Sequence, residues 1–458
     1  MKFSVTILLF TAVMAVTTLP AQTGVVVQQT EGQVAREKTA DPCADSSKMQ
    51  WFADAKLGIF IHWGIYAVNG IDESWSFHNR KISHSDYMKQ LGGFTASRYD
   101  PEQWAELIRE SGARYAVITT KHHDGVALWP SKQNHYNVVK DTRARRDLLT
   151  PFFAALDKRN IKRGAYFSLI DWSHPDYPGF LRDSSRYKVQ EDSLRWNRFL
   201  AFNLAQINEV SSQFRPDLWW FDGDWEHSAA EWNASGIRSA ILSKKPSAII
   251  NARLAGYGDY DTPEQNTPIT RPKGKWWELC MTINNNWGYQ HTDTNWKTPS
   301  EIIHIFADAI GSGGNLLLDI GPKEDGTIPP QQVTVLKELG RWNKKHEEAI
   351  FGSLGGMPQG HFYGPSTISK DSTVLYLFLT GKPSGSVMVK GLKNTIKKIR
   401  VVGSGQTLEH KIVGKISWSQ VPGLVFIDIP ATVKDEYMSV LALELDKPLS
   451  LYTGHGGL

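Results

Sequence analysis

Two cysteines in 458 residues, Cys43 and Cys280, are too few for a disulfide framework to hold the fold, so stability must come from buried apolar surface. The pair leaves room for one disulfide or for two buried thiols. An excess of either charge is also missing: 51 basic and 47 acidic residues give a formal net charge of +4. That balance argues against a nucleic-acid-binding stripe and against a surface built for acidic lipid. No internal repeat or low-complexity tract stands out, and beyond the N-terminal stretch no apolar run is long enough to cross a bilayer.

The N-terminal stretch has its own reading. Lys2, an apolar run from Val5 to Leu19 and small residues around Ala21 form the n-region, h-region and cleavage pattern of a signal peptide over residues 1–21. The run falls short of the about 20 residues a membrane span needs, and no cysteine stands at the cleavage point to accept lipid. Export, to a periplasm or beyond, is expected.

What the chain has in plenty is tryptophan, 17 residues, in a length that calls for more than one core. From Trp51, short apolar runs alternate with amphipathic stretches, the rhythm of successive βα units. Strands are predicted over Leu57–Trp63, Tyr115–Thr120, Gly164–Ile170, Leu218–Asp222, Ala248–Arg253, Trp276–Ile283 and Asn315–Ile320. Helices are predicted between them, the longest over Ser193–Phe214, and seven or eight strands suffice to close a barrel. After Ser353 the pattern turns to β-branched runs separated by Gly, Lys and Asn, including Thr373–Leu379, Lys411–Trp418 and Ser439–Leu445. The predicted architecture is α/β: a (β/α)8-like TIM barrel over 51–353, preceded by a segment 22–50 and followed by an antiparallel β-sandwich over 357–450.

One stretch points to chemistry. Trp219-Trp220-Phe221-Asp222-Gly223-Asp224-Trp225 reads as a buried parallel strand that delivers a carboxylate at its C-terminal end, where α/β barrels place their sites. Indoles beside an ionised carboxylate suit a sugar, whose C–H face packs on aromatics while its anomeric carbon, developing positive charge, needs an anion. A glycosidase is the activity this implies. Other polar residues fall at predicted strand ends: His62 in Gly58-Ile59-Phe60-Ile61-His62-Trp63-Gly64, His122 and His123 in Lys121-His122-His123-Asp124-Gly125, and Glu264 in Tyr260-Asp261-Thr262-Pro263-Glu264.

Together with Trp276-Trp277-Glu278-Leu279-Cys280 and Asn286-Trp287-Gly288-Tyr289, these runs resemble the α-L-fucosidases of glycoside hydrolase family 29 over roughly Trp51 to Ser353. The resemblance implies a retaining exo-glycosidase that needs no cofactor or metal and acts on terminal α-L-fucose of an oligosaccharide or glycoconjugate. It implies Asp222 as nucleophile and Glu264, in the segment after Arg253, as acid/base, with Glu278 as the alternative acid/base. His62, His122 and His123 match hydroxyl ligands, Tyr166, Trp220 and Arg253 match sugar-pocket positions, and Trp287 matches an aromatic that packs on the fucose methyl. The family's adjacent Glu-Trp pair is here Glu73-Ser74-Trp75, which leaves open which of Glu73 and Trp75 meets the sugar.

Two other classes fit the sequence less well. A metal-dependent hydrolase needs His-x-His on one strand face, whereas His62 is followed by Trp63-Gly64, and neighbouring His122 and His123 should point apart on an extended strand. A non-catalytic glycan-binding barrel predicts a missing carboxylate, and both candidates are present. Gly311-Ser312-Gly313-Gly314-Asn315 precedes a strand rather than a helix and carries no Lys-Ser/Thr, so it reads as a turn, not a phosphate cradle.

Overall fold

Strands buried on both faces carry no polar alternation, and the apolar runs of the first part of the chain form such strands. The computed structural model describes residues 46–272, 274–381 and 385–455; the expected signal peptide at 1–21 and Cys43 lie outside the described residues. Strands β1 (Leu57–Ile61), β2 (Tyr115–Lys121), β3 (Lys162–Ser168), β4 (Leu218–Asp222), β5 (Ile249–Ile250), β6 (Glu278–Thr282) and β7 (Asn315–Ile320) form one sheet. Its order is β5-β4-β3-β2-β1-β7-β6, with every neighbouring pair parallel.

An irregular segment closes the remaining gap between β5 and β6. Asn251 bridges Tyr260, Asp261 bridges Trp277 and Glu264 bridges Cys280, all in parallel sense. Asp259 N donates to Ile250 O (2.6 Å), Cys280 N to Pro263 O (3.0 Å) and Gln265 N to Cys280 O (2.9 Å). Pro263 has no N–H to add to the ladder, which keeps this eighth wall element to isolated bridges. The result is a (β/α)8-like barrel whose last strand-like piece carries Glu264.

Helices α1 (Ser46–Ala55), α2 (Pro101–Glu110), α3 (Leu149–Asp157), α4 (Ser193–Gln213), α5 (Ala234–Lys244), α6 (Pro299–Gly311) and α7 (Pro330–Ile350) surround the barrel sequence. Their starts are specified locally: the Asp100 carboxylate accepts from Glu102 N and Gln103 N ahead of Pro101, and Thr298 with Glu301 forms a capping box. No helix separates β5 from the 258–265 segment, and none among the described residues separates that segment from β6. Helix α1 plugs the N-terminal end, where Phe52 packs on Tyr115 and Tyr260 at 5.8 and 4.6 Å and its carbonyl accepts from Asn315 Nδ2. None of the described helices is long and apolar enough to cross a membrane.

The C-terminal strands are β8 (Leu354–Gly355), β9 (Ser366–Ile368), β10 (Val374–Leu379), β11 (Gly385–Lys390), β12 (Ile396–Val401), β13 (His410–Val413), β14 (Leu424–Ile429) and β15 (Ser439–Leu445). They form two antiparallel sheets, β8-β9-β10-β15-β12 and β11-β14-β13. The two-residue period of β10 separates two cores: Tyr376 and Phe378 join the barrel's core, while Leu375, Leu377 and Leu379 face the core between the two sheets. Trp342 of α7 donates its Nε1–H to Met438 O (2.9 Å), and Thr367 Oγ1 donates to Ala349 O (2.6 Å), pinning sandwich to barrel. The strand expected over Lys411–Trp418 stops at Val413 because Gly414 takes a left-handed conformation (φ +73°), and Trp418 is left exposed.

Candidate active site

The mouth at the C-terminal ends of the barrel strands gathers the carboxylates. Asp222 ends β4 and is buried; its Oδ2 accepts from Tyr166 Oη at 2.9 Å, and its Oδ1 from Arg253 Nη1 at 3.0 Å. Burial pushes the Asp222 carboxyl above its ordinary range, while Arg253 and Tyr166 pull it back toward the ionised form. The other fork of the same guanidinium, Nη2, donates to Glu264 Oε2 at 2.6 Å. Arg253 lies 4.5 Å over the Trp220 ring, so the cation is held from below by a π face and from two sides by carboxylates. Glu264 is the more accessible acid, its side chain 37% exposed against 12% for Asp222.

Glu278 does not reach this mouth. It sits inside β6, fully buried, where Tyr115 Oη donates to Oε2 at 2.5 Å and Trp220 Nε1 to Oε1 at 3.1 Å. Burial raises its carboxyl to about 7 despite those two donors. Its structural effect is to fix the indole on which Arg253 rests.

Three imidazoles line the mouth, each committed through Nδ1. His62 follows β1 and its Nδ1 is 2.7 Å from Asp319 Oδ1 on β7; His122 Nδ1 is 3.1 Å from Ser74 Oγ; His123 Nδ1 is 2.6 Å from Ser168 Oγ. Ser168 gives its own proton to Ile170 O (2.7 Å), so it accepts from His123 and leaves Nε2 as an acceptor, 3.6 Å from Asp222 Oδ2. Burial holds all three below the ordinary histidine range, His123 down to about 3, so each ring is neutral at physiological pH. The expectation that His122 and His123 point apart is not met. Their rings are 4.3 Å apart, because both residues fall after the last strand residue, Lys121, where the strict alternation of a strand no longer applies.

Aromatics form the floor and sides. Tyr166 stacks on Trp220 at 5.7 Å and on His122 at 5.5 Å, and Phe60 packs tilted against Trp220. Trp287, from the loop after β6, lies 4.9 Å from the His62 ring. That loop is organised by Asp293, whose Oδ2 accepts from Asn284 Nδ2, Asn285 N and Asn286 N, and by Glu73, whose Oε1 accepts from Gly288 N at 2.5 Å. Gly288 is required there, since a Cβ would lie 2.6 Å from the Tyr66 ring. Glu73 is thus a buried brace for the Trp287 loop, with burial lifting its carboxyl to about 7. Trp75 stands edge-on to His123 at 5.6 Å.

All the sequence-derived candidates therefore meet at one mouth or brace it, Glu73 and Glu278 from behind. Asp319, Ser74 and Ser168, which orient the imidazoles, are functional residues that the sequence motifs do not mark. Asp319 carried a usable signal: it breaks the apolar run Leu316-Leu317-Leu318, as Asp222 breaks the tryptophan run. Among the described residues no three His, Cys, Asp or Glu side chains are arranged to hold a metal ion. Cys280 is a buried free thiol whose Sγ–H points to Pro263 O at 3.6 Å.

Comparison with known proteins agrees with this geometry. The α-L-fucosidase family model matches residues 24–348. Tissue α-L-fucosidases from Homo sapiens and Mus musculus are each 31% identical, over 87% of this chain and 89% of the human protein, and over 81% and 85% for the mouse protein. Among solved structures, α-L-fucosidase isoenzyme 1 from Paenibacillus thiaminolyticus has a TM-score of 0.79 at 30% identity, covering 88% of this chain and 99% of its own. A family 29 α-L-fucosidase from Bacteroides thetaiotaomicron, trapped as a covalent intermediate in complex with 2-fluoro-fucosyl fluoride, has a TM-score of 0.77 at 28% identity, covering 89% and 97%. The chain belongs to the α-L-fucosidase family, glycoside hydrolase family 29, as an enzyme of the retaining class.

Proposed function

We propose that the chain removes terminal α-L-fucose from fucosylated glycans by double displacement, with Asp222 as nucleophile and Glu264 as general acid and then base. The observation that carries this reading is the single guanidinium of Arg253 joined to both carboxylates at the barrel mouth. It holds the two carboxylates at one mouth, the pairing that glycoside hydrolysis needs. In the first step an Asp222 oxygen bonds to the anomeric carbon from the face opposite the aglycone. The glycosidic C–O bond breaks as Glu264 gives its proton to the departing oxygen. Water then donates a proton to Glu264 and attacks the anomeric carbon, releasing Asp222 and α-fucose.

The three imidazoles meet sugar hydroxyls through Nε2, Trp287 covers the apolar side of the ring, and Tyr166, Trp220 and Arg253 complete the pocket. Trp75, at the mouth, takes the contact that the Glu73-Ser74-Trp75 spacing left open, while Glu73 acts from behind. Glu278, buried under Trp220, is a positioning residue rather than the acid. The chain acts after export, with residues 1–21 as signal peptide, a barrel over 51–353 and a sandwich over 357–450.

Proton NMR of an aryl α-L-fucoside and of α1,2-, α1,3- and α1,4-fucosylated oligosaccharides tests the whole reading. Early α-fucose is the expected result and also reports the linkage accepted. Early β-fucose would mean a single displacement, and no fucose from any substrate would remove the activity.

The same reading assigns a task to Asp319. Asp319→Ala frees His62 Nδ1, and loss of the buried hydrogen bond that orients the ring predicts a fall of about tenfold in kcat/KM. Asp319→Asn, which still bonds the ring, should lie closer to wild type, and equal losses in both variants would argue that size or burial, not ring orientation, is at stake.

A further inference from the structure

One large apolar side chain beside the carboxylates is left open to solvent. Trp225 follows Asp222 by three residues, in the short turn Asp224–Glu226, and is 45% exposed. The turn around it is fixed. Gly223 enters with φ +83°, where a Cβ would lie 2.7 Å from Ile170. Asp224 Oδ2 accepts from Ala255 N (2.9 Å), Asp224 O accepts from Trp232 Nε1 (3.1 Å), and half-buried Glu226 accepts from Trp172 Nε1 (3.0 Å) and from Tyr177 Oη. A rigid backbone thus presents an indole to solvent instead of folding it into the core, where a tryptophan contributes most.

The indole is backed in a direction that points at the reaction. It stacks on Trp75, with rings 6.2 Å apart and 17° from parallel, and Trp75 rests edge-on against Trp172 at 5.0 Å. Trp225 and Trp75 both meet the His123 ring edge-on, at 5.8 and 5.6 Å, and His123 Nε2 faces Asp222 Oδ2 at 3.6 Å. The exposed aromatic surface therefore begins next to the nucleophile and runs outward from the closed floor of Phe60, Tyr166 and Trp220.

We infer that Trp225, backed by Trp75, is the platform for the leaving group, taking the apolar C–H face of the pyranose to which fucose is attached or a flat aryl aglycone. This rests on the hydrolase reading above and adds where the second sugar sits. The geometry selects a ring with an unbroken C–H face and gives no anchorage to a leaving group without a ring.

The test compares two substrates in three enzymes. α-L-Fucosyl fluoride has no aglycone ring; a fucosylated disaccharide has one. In Trp225→Ala, kcat/KM for the disaccharide should fall by about tenfold or more, mostly through KM, while turnover of the fluoride and inhibition by free L-fucose stay near wild type. Trp225→Phe, which keeps a smaller ring, should fall between. Equal losses on both substrates would overturn the assignment and place Trp225 with the fucose pocket or the fold, and no loss on either would overturn it outright. If wild-type enzyme released fucose from neither substrate, the hydrolase reading would fail first, a result distinct from any behaviour of the variants.

Discussion

Asp222→Gly is expected to lose on the order of a thousandfold or more in kcat/KM on an aryl fucoside, because the carboxylate proposed to attack the anomeric carbon is removed, while Asp224, two residues on, accepts from Ala255 N. Glu264 stays in place in that variant and can still protonate the leaving oxygen. Sodium azide should therefore restore turnover by entering the space the carboxylate vacated, and its product should be the inverted β-fucosyl azide. A variant within about tenfold of wild type would remove Asp222 as nucleophile. The same residue is expected to set the acid limb of the pH profile. Burial is the largest influence on its carboxyl and raises it, so activity should fall, as pH is lowered, at a value above the usual carboxylate range. Protonation removes the anion that attacks, so the loss runs in the acid direction.

The second large effect belongs to Glu264→Ala, whose size should depend on the leaving group. An activated aryl fucoside needs little help from a proton and should keep much of its first step; a glycan, with a poor leaving group, should lose on the order of a hundred- to ten-thousandfold. Azide again rescues, but now by attacking the covalent intermediate after Asp222 has acted, so the product is the retained α-fucosyl azide. The two variants thus give opposite azide anomers from one substrate. Were Glu278→Ala to show the leaving-group dependence and the α-azide while Glu264→Ala did not, the acid/base assignment would be reversed.

The difference between these two residues also marks what sequence could and could not reveal. Asp222 was legible because a parallel strand buried on both faces is apolar to its end, and Trp219-Trp220-Phe221 leaves the carboxylate only one place to be. Glu278 falls within the strand predicted over Trp276–Ile283, whereas Glu264, implied as acid/base by the family resemblance, falls in no predicted element. Their separation depends on which one belongs to a regular strand: Glu278 does and is sealed under Trp220, whereas Glu264 lies on a bridge-paired segment interrupted by Pro263. Periodicity cannot find an element that has no period. The imidazole partners are hidden for a related reason, since Ser168 and Asp319 lie on different barrel strands and Ser74 in the segment after β1, and they meet His123, His62 and His122 only once the barrel closes.

The sheet that β10 shares between two cores has a further consequence. Tyr376, Phe378, Val440 and Ala442 are packed with barrel residues, and Leu375, Leu377, Leu441 and Leu443 with sandwich residues, so adjacent positions on the same two strands belong to different interiors. Neither interior can loosen without removing one face of the other's wall. The chain therefore has two architectures but one cooperative unit, in which a lesion far out in the sandwich is felt as instability of the barrel that carries Asp222.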